Sequence, residues 1–265
     1  MNFEACGKTD KGLRRSNNED NFAVARDLAL FLVADGMGGH AAGEVASKMA
    51  IDVILEHIKR SHTVKDPIIG GYDNALSDNA NRLRSSIKLA NQVILEAARE
   101  NSAWYGMGTT LVAAWQPDLN DPSLLIANVG DSRIYLVRNK KIKRLTEDHS
   151  IVEEQVKQGL ISRKEADESS VKNMITRALG HYDEVNVDLA RIRLRQNDKI
   201  ILCTDGLSGM LKDERILALI NQQRSVKNMC GTLIDAANDA GGKDNIAVIL
   251  AHFTEPGSRD PSQNT

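Results

Sequence analysis

Apolar residues along this chain fall into two rhythms. Over residues 43–60, Val45, Met49, Val53, Ile54 and Ile58 recur at helical spacing while Lys48, Asp52, Glu56 and Lys59 take the other side, which predicts an amphipathic helix. A polar, glycine-containing connection over 61–78 leads to a second helix, with Leu83, Ile87, Ala90, Ile94 and Ala97 in its stripe, ending near Trp104-Tyr105-Gly106. Short apolar runs then predict strands over 109–115, 124–129 and 133–137. The last two are separated only by Gly130-Asp131-Ser132, and so short a turn predicts an antiparallel hairpin. Residues 148–179 turn polar, with short helical pieces and a capping-box pattern at Ser162-Arg163-Lys164-Glu165, as in an excursion lying over a site. Strands resume over 185–194 and 199–204. Helices follow over about 213–221 and 225–240, the latter with Val226, Met229, Cys230, Leu233 and Ala237 as its apolar stripe, and a strand over 246–253 ends the pattern. Strands and paired helices in blocks, without an internal repeat, predict an α+β layered domain of antiparallel sheets covered by helices, not a βαβ winding.

Composition narrows this picture. A chain of 265 residues with 42% hydrophobic content can bury one substantial core. Residues 1–254 read as one domain, and 255–265, which lack apolar content, as a loose tail. With a formal net charge of -2 and dispersed Lys and Arg, the chain carries no electrostatic footprint for nucleic acid or an anionic membrane. The longest apolar run, 28–34, falls far short of the ~20 residues a spanning helix needs, and no basic-then-apolar leader opens the chain, so a soluble cytoplasmic protein is expected. Three cysteines, Cys6, Cys203 and Cys230, without Cys-x-x-Cys spacing, predict neither a disulfide framework nor a thiolate zinc site and suit a reducing compartment. Cys203 in an apolar strand and Cys230 on an apolar helix face are assigned to packing. Neither has an arginine six positions on, as cysteine-dependent phosphatases require.

The chemistry lies where strands stop. The run Phe31-Leu32-Val33-Ala34 ends in Asp35-Gly36-Met37-Gly38-Gly39-His40, and the same ending recurs at Thr204-Asp205-Gly206 and at Gly130-Asp131-Ser132, while Gly242-Lys243-Asp244-Asn245 opens another apolar run; Asp20 follows Asn18-Glu19. Carboxylates gathered at strand ends repel one another unless a cation holds them. Hard oxygen ligands without histidine or thiolate partners select Mg²⁺ or Mn²⁺ over zinc, and the Gly36 carbonyl can approach an ion closely. A two-ion centre is the expectation.

Arg15-Ser16-Asn17-Asn18-Glu19-Asp20, Asp35-Gly36-Met37-Gly38-Gly39-His40, Gly108-Thr109-Thr110, Gly130-Asp131-Ser132-Arg133, Thr204-Asp205-Gly206-Leu207 and Gly242-Lys243-Asp244-Asn245 resemble, in order, the motifs of the metal-dependent serine/threonine protein phosphatases of the protein phosphatase 2C type, in particular stand-alone bacterial members. The resemblance covers about residues 7–253. It implies a four-layer α/β/β/α sandwich with a metal cleft at one end. It further implies that Asp35 bridges two Mn²⁺ or Mg²⁺ ions, that the Gly36 carbonyl binds one and that Asp205 with Asp244 binds the other. Asp131 with Asp205 would form a weaker third site. Glu19 and Asp20 would support metal-bound water, Asp20 counting among the metal residues, and Arg15 would grip the substrate phosphate with two hydrogen bonds. The implied reaction is hydrolysis of phosphoserine or phosphothreonine on proteins by a metal-bridging hydroxide, without a covalent phosphoenzyme. The implied partners are phosphorylated proteins made by a bacterial Ser/Thr kinase, and the implied state is a monomer.

Two departures matter. Animal members place a histidine, regarded as the acid for the leaving group, where this chain has Met37, as bacterial members do; a metal-bound water or His40 could replace it, while His40 and His149 suit structural hydrogen bonding. Near Gly209 the family often has a further acid. The segment 148–179 matches the family's flap. Two rival readings stand beside this one. Gly36-Met37-Gly38-Gly39-His40-Ala41 with Glu56 fits a dinucleotide-binding fingerprint, against which the acid before the first glycine and the antiparallel pattern both count. The other rival is an inactive homologue used for binding.

Overall fold

In the computed structural model, which describes residues 1–39, 41–61, 67–222 and 225–255, two antiparallel sheets lie face to face with helices on each outer side. In chain order the elements begin with β1 (Asn2–Asp10), β2 (Asp20–Ala25), β3 (Leu30–Met37), α1 (Ala41–Ser61) and α2 (Asp78–Glu100). β4 (Gly108–Thr109), β5 (Leu111–Trp115), β6 (Ser123–Val129), β7 (Arg133–Arg138) and β8 (Lys141–Arg144) follow. Then come α3 (Ile151–Lys157), α4 (Arg163–Glu168), β9 (Asp188–Arg193), β10 (Lys199–Cys203), α5 (Asp205–Ser208), α6 (Asp213–Gln222), α7 (Val226–Asp239) and β11 (Ile246–Thr254). One sheet runs β1-β11-β10-β7-β8. The other runs β2-β3-β5-β6-β9, with β4 paired to β3.

The layering follows from strands that are apolar on both faces. In β3, Phe31 and Val33 meet Val112, Ile134, Leu202 and Ile249 between the sheets, while Leu30, Leu32 and Ala34 pack against α1 and α2. β11 behaves alike: Ala247, Ile249 and Ala251 face the other sheet, and Ile246, Val248 and Leu250 face α6 and α7. Unbroken apolar runs are therefore what an antiparallel strand needs when helices cover its outer face.

Several expectations are corrected. β6 and β7 do not form a hairpin: β6 pairs with β5 and β9, β7 with β10 and β8, so Gly130-Asp131-Ser132 crosses from one sheet to the other. Gly130 makes the crossing possible, with φ 108° and no room for a Cβ, which would lie 2.6 Å from Thr110. The buried face of α1 is not centred on Val45, Met49 and Val53, which are only partly buried. Ala42, Ala46 and Ala50 lead it, with Ile51, Ile54 and Ile58, because small residues let α1 approach α2 and β3 closely. The cysteine reading also changes. Cys6 and Cys230 form a disulfide with Cα atoms 6.4 Å apart, a contact hidden by a separation of 224 residues and created when α7 packs across β1. Cys203 is buried and free, as expected of a packing residue. The capping box at Ser162 and Glu165 forms as predicted and starts α4. The tail residues 256–265 and residues 62–66 of the first helical connection lie outside the described residues.

Candidate metal centre

Strand register brings the acids together. Antiparallel pairing sets Asp20, the first residue of β2, directly opposite Asp35 near the end of β3. Cys203, at the end of β10, pairs with Arg133 on one side and Val248 on the other, so Asp205, Asp131 and Asp244 all fall within a few residues of that same rim. Hydroxyls and an amide then fix the backbone at each turn. The Asp35 carbonyl accepts from Thr110 N (2.9 Å) and Thr109 Oγ1 (2.8 Å), and its N–H donates to Thr110 Oγ1 (3.1 Å), which lies 2.7 Å from Ser132 Oγ. Thr204 Oγ1 donates to Asp20 Oδ2 (2.8 Å) while accepting from Ala247 N (2.9 Å), which links β2, β10 and β11 through one side chain. Asn245 does the same for the first loop: Oδ1 accepts from Glu19 N (2.8 Å), and Nδ2 donates to Lys11 O (2.9 Å) and Asn17 O (2.8 Å). Gly36 sits so close to α1 that a Cβ would lie 2.1 Å from Gly43 O, so no other residue fits there without movement.

The electrostatics are those of crowded anions. Burial pushes the Asp35 carboxyl well above the usual carboxylate range, and the charges of Asp20, Asp205, Asp131 and Asp244 push it further. Asp20 is raised chiefly by burial, against the Thr204 hydrogen bond, which favours its ionised form. Burial and then the Asp244 charge raise Asp205 to about 6, and burial with Asp205 and Asp148 nearby raises Asp131 to about 7. Asp20 Oδ1 and Asp205 Oδ1 are buried and have no hydrogen-bond partner among the described residues. Orphaned carboxylate oxygens beside mutually repelling acids are the environment that a divalent cation relieves, and an all-oxygen donor set suits Mn²⁺ or Mg²⁺. The side chains are gathered without forming a finished cage: among the described residues, no group of three His, Cys, Asp or Glu is arranged to hold an ion. Asp244 Oδ2 is taken up by Arg15 Nη2 at 2.7 Å, and Asp244 Oδ1 by the Asn245 N–H at 2.8 Å.

The remaining expected residues lie around this group. Arg15 is largely exposed and reaches inward to Asp244, whose hydrogen bond raises its pKa, with the charges of Asp205 and Asp35 adding to the shift. The Glu19 side chain accepts from Asn17 Nδ2 (3.0 Å), and its Oε2 occupies the space that a side chain at Gly43 would need. Met37 closes β3, opposite Gly108 of β4. His40, named above as a proton donor, lies outside the described residues. His149 is structural: Nδ1 accepts from Gly130 N (3.0 Å), which leaves Nε2–H for Asp188 (3.1 Å), and burial lowers its pKa, so the ring is neutral. The exposed Gly209 donates its N–H to the Asp205 carbonyl.

The polar excursion roots on the site at both ends. His149 N donates to Gly130 O (3.0 Å), and Leu179 exchanges backbone hydrogen bonds with Thr109 at 2.8 and 3.1 Å. An alternating ion-pair chain runs outward from Arg133 to Asp148 (2.6 Å), Arg144 (3.4 Å), Glu153 (3.5 Å) and Arg163 (2.6 Å). Thr110, Ser132, Thr204, Asn245 and Asp148 thus hold the site without having been assigned a role from sequence. The signal was present for three of them: Ser132, Thr204 and Asn245 stand immediately beside the acids Asp131, Asp205 and Asp244, where an apolar strand begins or ends.

The antiparallel pairing throughout the described sheets is incompatible with a Rossmann crevice and removes the dinucleotide reading. Among the described residues, no helix is long and apolar enough to cross a membrane. Comparison with known proteins agrees with the site. The protein phosphatase 2C family profile matches residues 13–251. The serine/threonine phosphatase stp of Listeria welshimeri is 37% identical over 246 residues, covering 92% of this chain and 93% of that protein. The protein phosphatase PhpP of Streptococcus pneumoniae is 35% identical over 254 residues, 93% of this chain and 96% of its own. The solved serine/threonine phosphatase PstP/Ppp of Mycobacterium tuberculosis superposes with a TM-score of 0.83 at 33% identity, covering 96% of this chain and 99% of that one. The catalytic domain of PstP in complex with two manganese ions gives 0.79 at 33% identity, again covering 96% and 99%. This chain belongs to the protein phosphatase 2C family.

Proposed function

We infer that this protein is a metal-dependent protein serine/threonine phosphatase whose catalytic domain is residues 1–254. The observation that carries this reading is the convergence of Asp20, Asp35, Asp131, Asp205 and Asp244 from five separate segments into one group that burial and mutual repulsion leave short of positive charge. The manganese-bound PstP domain supports the same metal here. In this reading Asp35, the Gly36 carbonyl, Asp205 and Asp244 would hold two ions, and Asp131 with Asp205 would hold a weaker third. Asp20 and Glu19 would orient water at the centre. Divalent ions bound there would screen the repulsion between a phosphate dianion and an anionic nucleophile, and would make hydroxide available near neutrality.

The chain itself supplies the rest. Arg15 stands at the rim with its guanidinium already directed inward, where its planar fork suits two phosphate oxygens once it parts from Asp244. Thr204 holds one oxygen of Asp20 and leaves the other buried without a partner. Met37 cannot protonate a leaving group, which leaves that proton to water or to His40. Cys203 is no rival nucleophile, because burial pushes its thiol up to about 12. The two-rooted excursion over 148–179 would contact a protein substrate. ATP-dependent kinases make phosphoproteins inside the cell, so the reading includes a cytoplasmic monomer that opposes a Ser/Thr kinase.

The test is a metal-rescue assay. Stripped protein should hydrolyse neither p-nitrophenyl phosphate nor a phosphothreonine protein, should regain both activities with Mn²⁺ or Mg²⁺, and should lose them in Asp35→Asn at any metal concentration. Turnover that survives chelation, or a fully active Asp35→Asn, would refute the assignment.

A further inference from the structure

Cys6 and Cys230 fall outside the candidate metal centre, and no step of the proposed reaction uses them. Cys6 lies midway along β1 and is half-buried; Cys230 is buried near the start of α7. Their Cα separation of 6.4 Å is within the range that a disulfide spans without backbone movement. Both line a surface groove of about 420 Å³ with Lys8, Lys227, Asn228 and Asp235. Lys8 is two residues from Cys6 on the same strand face, and Lys227 is three residues before Cys230 on the same helix face. The half-buried Cys6 faces this opening, which lets a small oxidant reach it before the buried Cys230. Cys203 is the internal contrast: fully buried in β10, it does not line the groove and is free.

We propose that Cys6 and Cys230 are a reversible redox pair, and that their oxidation staples β1 to α7 behind the wall that carries Arg15 and Asp244. The two elements run side by side toward the site. Asp10 is four residues beyond Cys6, about 13 Å along a strand. Asn238 is eight residues beyond Cys230, about 12 Å along a helix. These equal strides bring Asn238 Nδ2 to Asp10 Oδ1 at 3.1 Å. Farther on, Leu13 N donates to Gly242 O (2.8 Å) and Arg15 pairs with Asp244 (2.7 Å). The disulfide is thus the outermost rung of a series whose innermost rung lies in the candidate site, and it is the one rung that a change of redox state can make or break.

With hydrogen peroxide as oxidant, the Cys6 thiolate attacks one oxygen, the O–O bond breaks, and a sulfenic acid and hydroxide form. The Cys230 thiolate then attacks the Cys6 sulfur and expels a second hydroxide. The two thiol protons convert both hydroxides to water, so the sulfurs lose two electrons and the peroxide gains them. A small dithiol reverses the bond by exchange and leaves as its own disulfide.

The experiment needs no enzyme assay, so its failure is separable from failure of the phosphatase reading. The full chain is reduced, freed of reductant, exposed to hydrogen peroxide and alkylated in denaturant before non-reducing peptide mapping. The expected result is one cross-linked peptide joining Cys6 to Cys230, two hydrogens lighter than the reduced pair, with Cys203 recovered alkylated and the bond reversed by dithiothreitol. The oxidised protein should unfold roughly 5–15 °C above the reduced one, a gap that closes in both Cys6→Ser and Cys230→Ala. Recovery of both cysteines alkylated, cross-links between molecules only, or over-oxidised Cys6 with Cys230 untouched would overturn the proposal.

Discussion

Asp205→Asn should abolish turnover and at the same time stabilise the metal-stripped protein. Burial and then the charge of Asp244 lift the Asp205 carboxyl from 3.8 to about 6, while Arg133 and Arg15 hold it back only in part. The sign follows from linkage. A carboxyl whose folded pKa is raised contributes stability below its unfolded pKa, and that contribution is lost as pH rises through the folded value. The ionised Asp205 therefore costs the stripped fold about 3 kcal/mol above about pH 7, and almost nothing near pH 4. An amide carries no charge and removes that cost, but it still buries an oxygen without a partner and forfeits the attraction to both arginines. The net gain should be about 1–2 kcal/mol, or roughly 3–8 °C in unfolding midpoint for a domain of this size. Thermal melts in excess chelator from about pH 4 to about pH 7.5 measure it: the gain should be full at the upper end and vanish at the lower. Saturating Mn²⁺ should then raise the wild type more than the variant. A variant less stable than wild type in chelator at the upper pH, or a gain that does not change with pH, would refute the charge-crowding account.

Arg15→Ala should raise KM for p-nitrophenyl phosphate by about 10- to 100-fold with a smaller change in kcat, because a charge-assisted contact to phosphate contributes about 1.5–3 kcal/mol to binding; steady-state kinetics with an unchanged KM would contradict that role. Asn245→Ala removes three hydrogen bonds that hold Lys11, Asn17 and Glu19 in place. It should cost about 2–4 kcal/mol in denaturant unfolding and weaken Mn²⁺ binding in calorimetry, although Asn245 is itself no ligand in this reading.

The layers of this fold are legible in the sequence because burial on both faces writes itself as unbroken apolar runs, and helices as stripes. Runs such as those of β3 and β11 cannot sit on a half-exposed sheet, so they already imply covering helices. What the runs do not encode is which sheet a strand joins. A three-residue turn between β6 and β7 has the length of a hairpin, and only the twist and partner choice of the whole sandwich make it a crossing between sheets. The same blindness to distance hid the Cys6–Cys230 contact, whereas α1 misled for another reason: alanines bury themselves by letting backbones approach, and a stripe read from large side chains overlooks them. The acids were legible for the opposite reason. A carboxylate beside glycine or asparagine where an apolar run begins or ends reads singly as a turn, so Asp35, Asp131, Asp205 and Asp244 stand out only as a set. Their supports do not, since a threonine at a strand end is ordinary until its hydroxyl is seen to hold Asp20.

The crossing at Gly130-Asp131-Ser132 also explains why one end of the sandwich can gather so much negative charge. A hairpin there would have kept Asp131 beside its own sheet. Crossing between the sheets brings Asp131 close enough for the Asp205 charge to raise its pKa, although Asp205 follows β10 of the opposite sheet. The fold then spends its local hydrogen bonds on the backbones of these turns, through Thr109, Thr110, Thr204 and Asn245, and leaves oxygens of Asp20 and Asp205 without partners. Had those hydroxyls instead satisfied the carboxylates, the protein would be more stable and the acids less eager for a cation. A site that is rigid in its main chain and unsatisfied in its charges should take up divalent metal without rearranging its scaffold, and the stability given up in the stripped state is then the measurable counterpart of that binding.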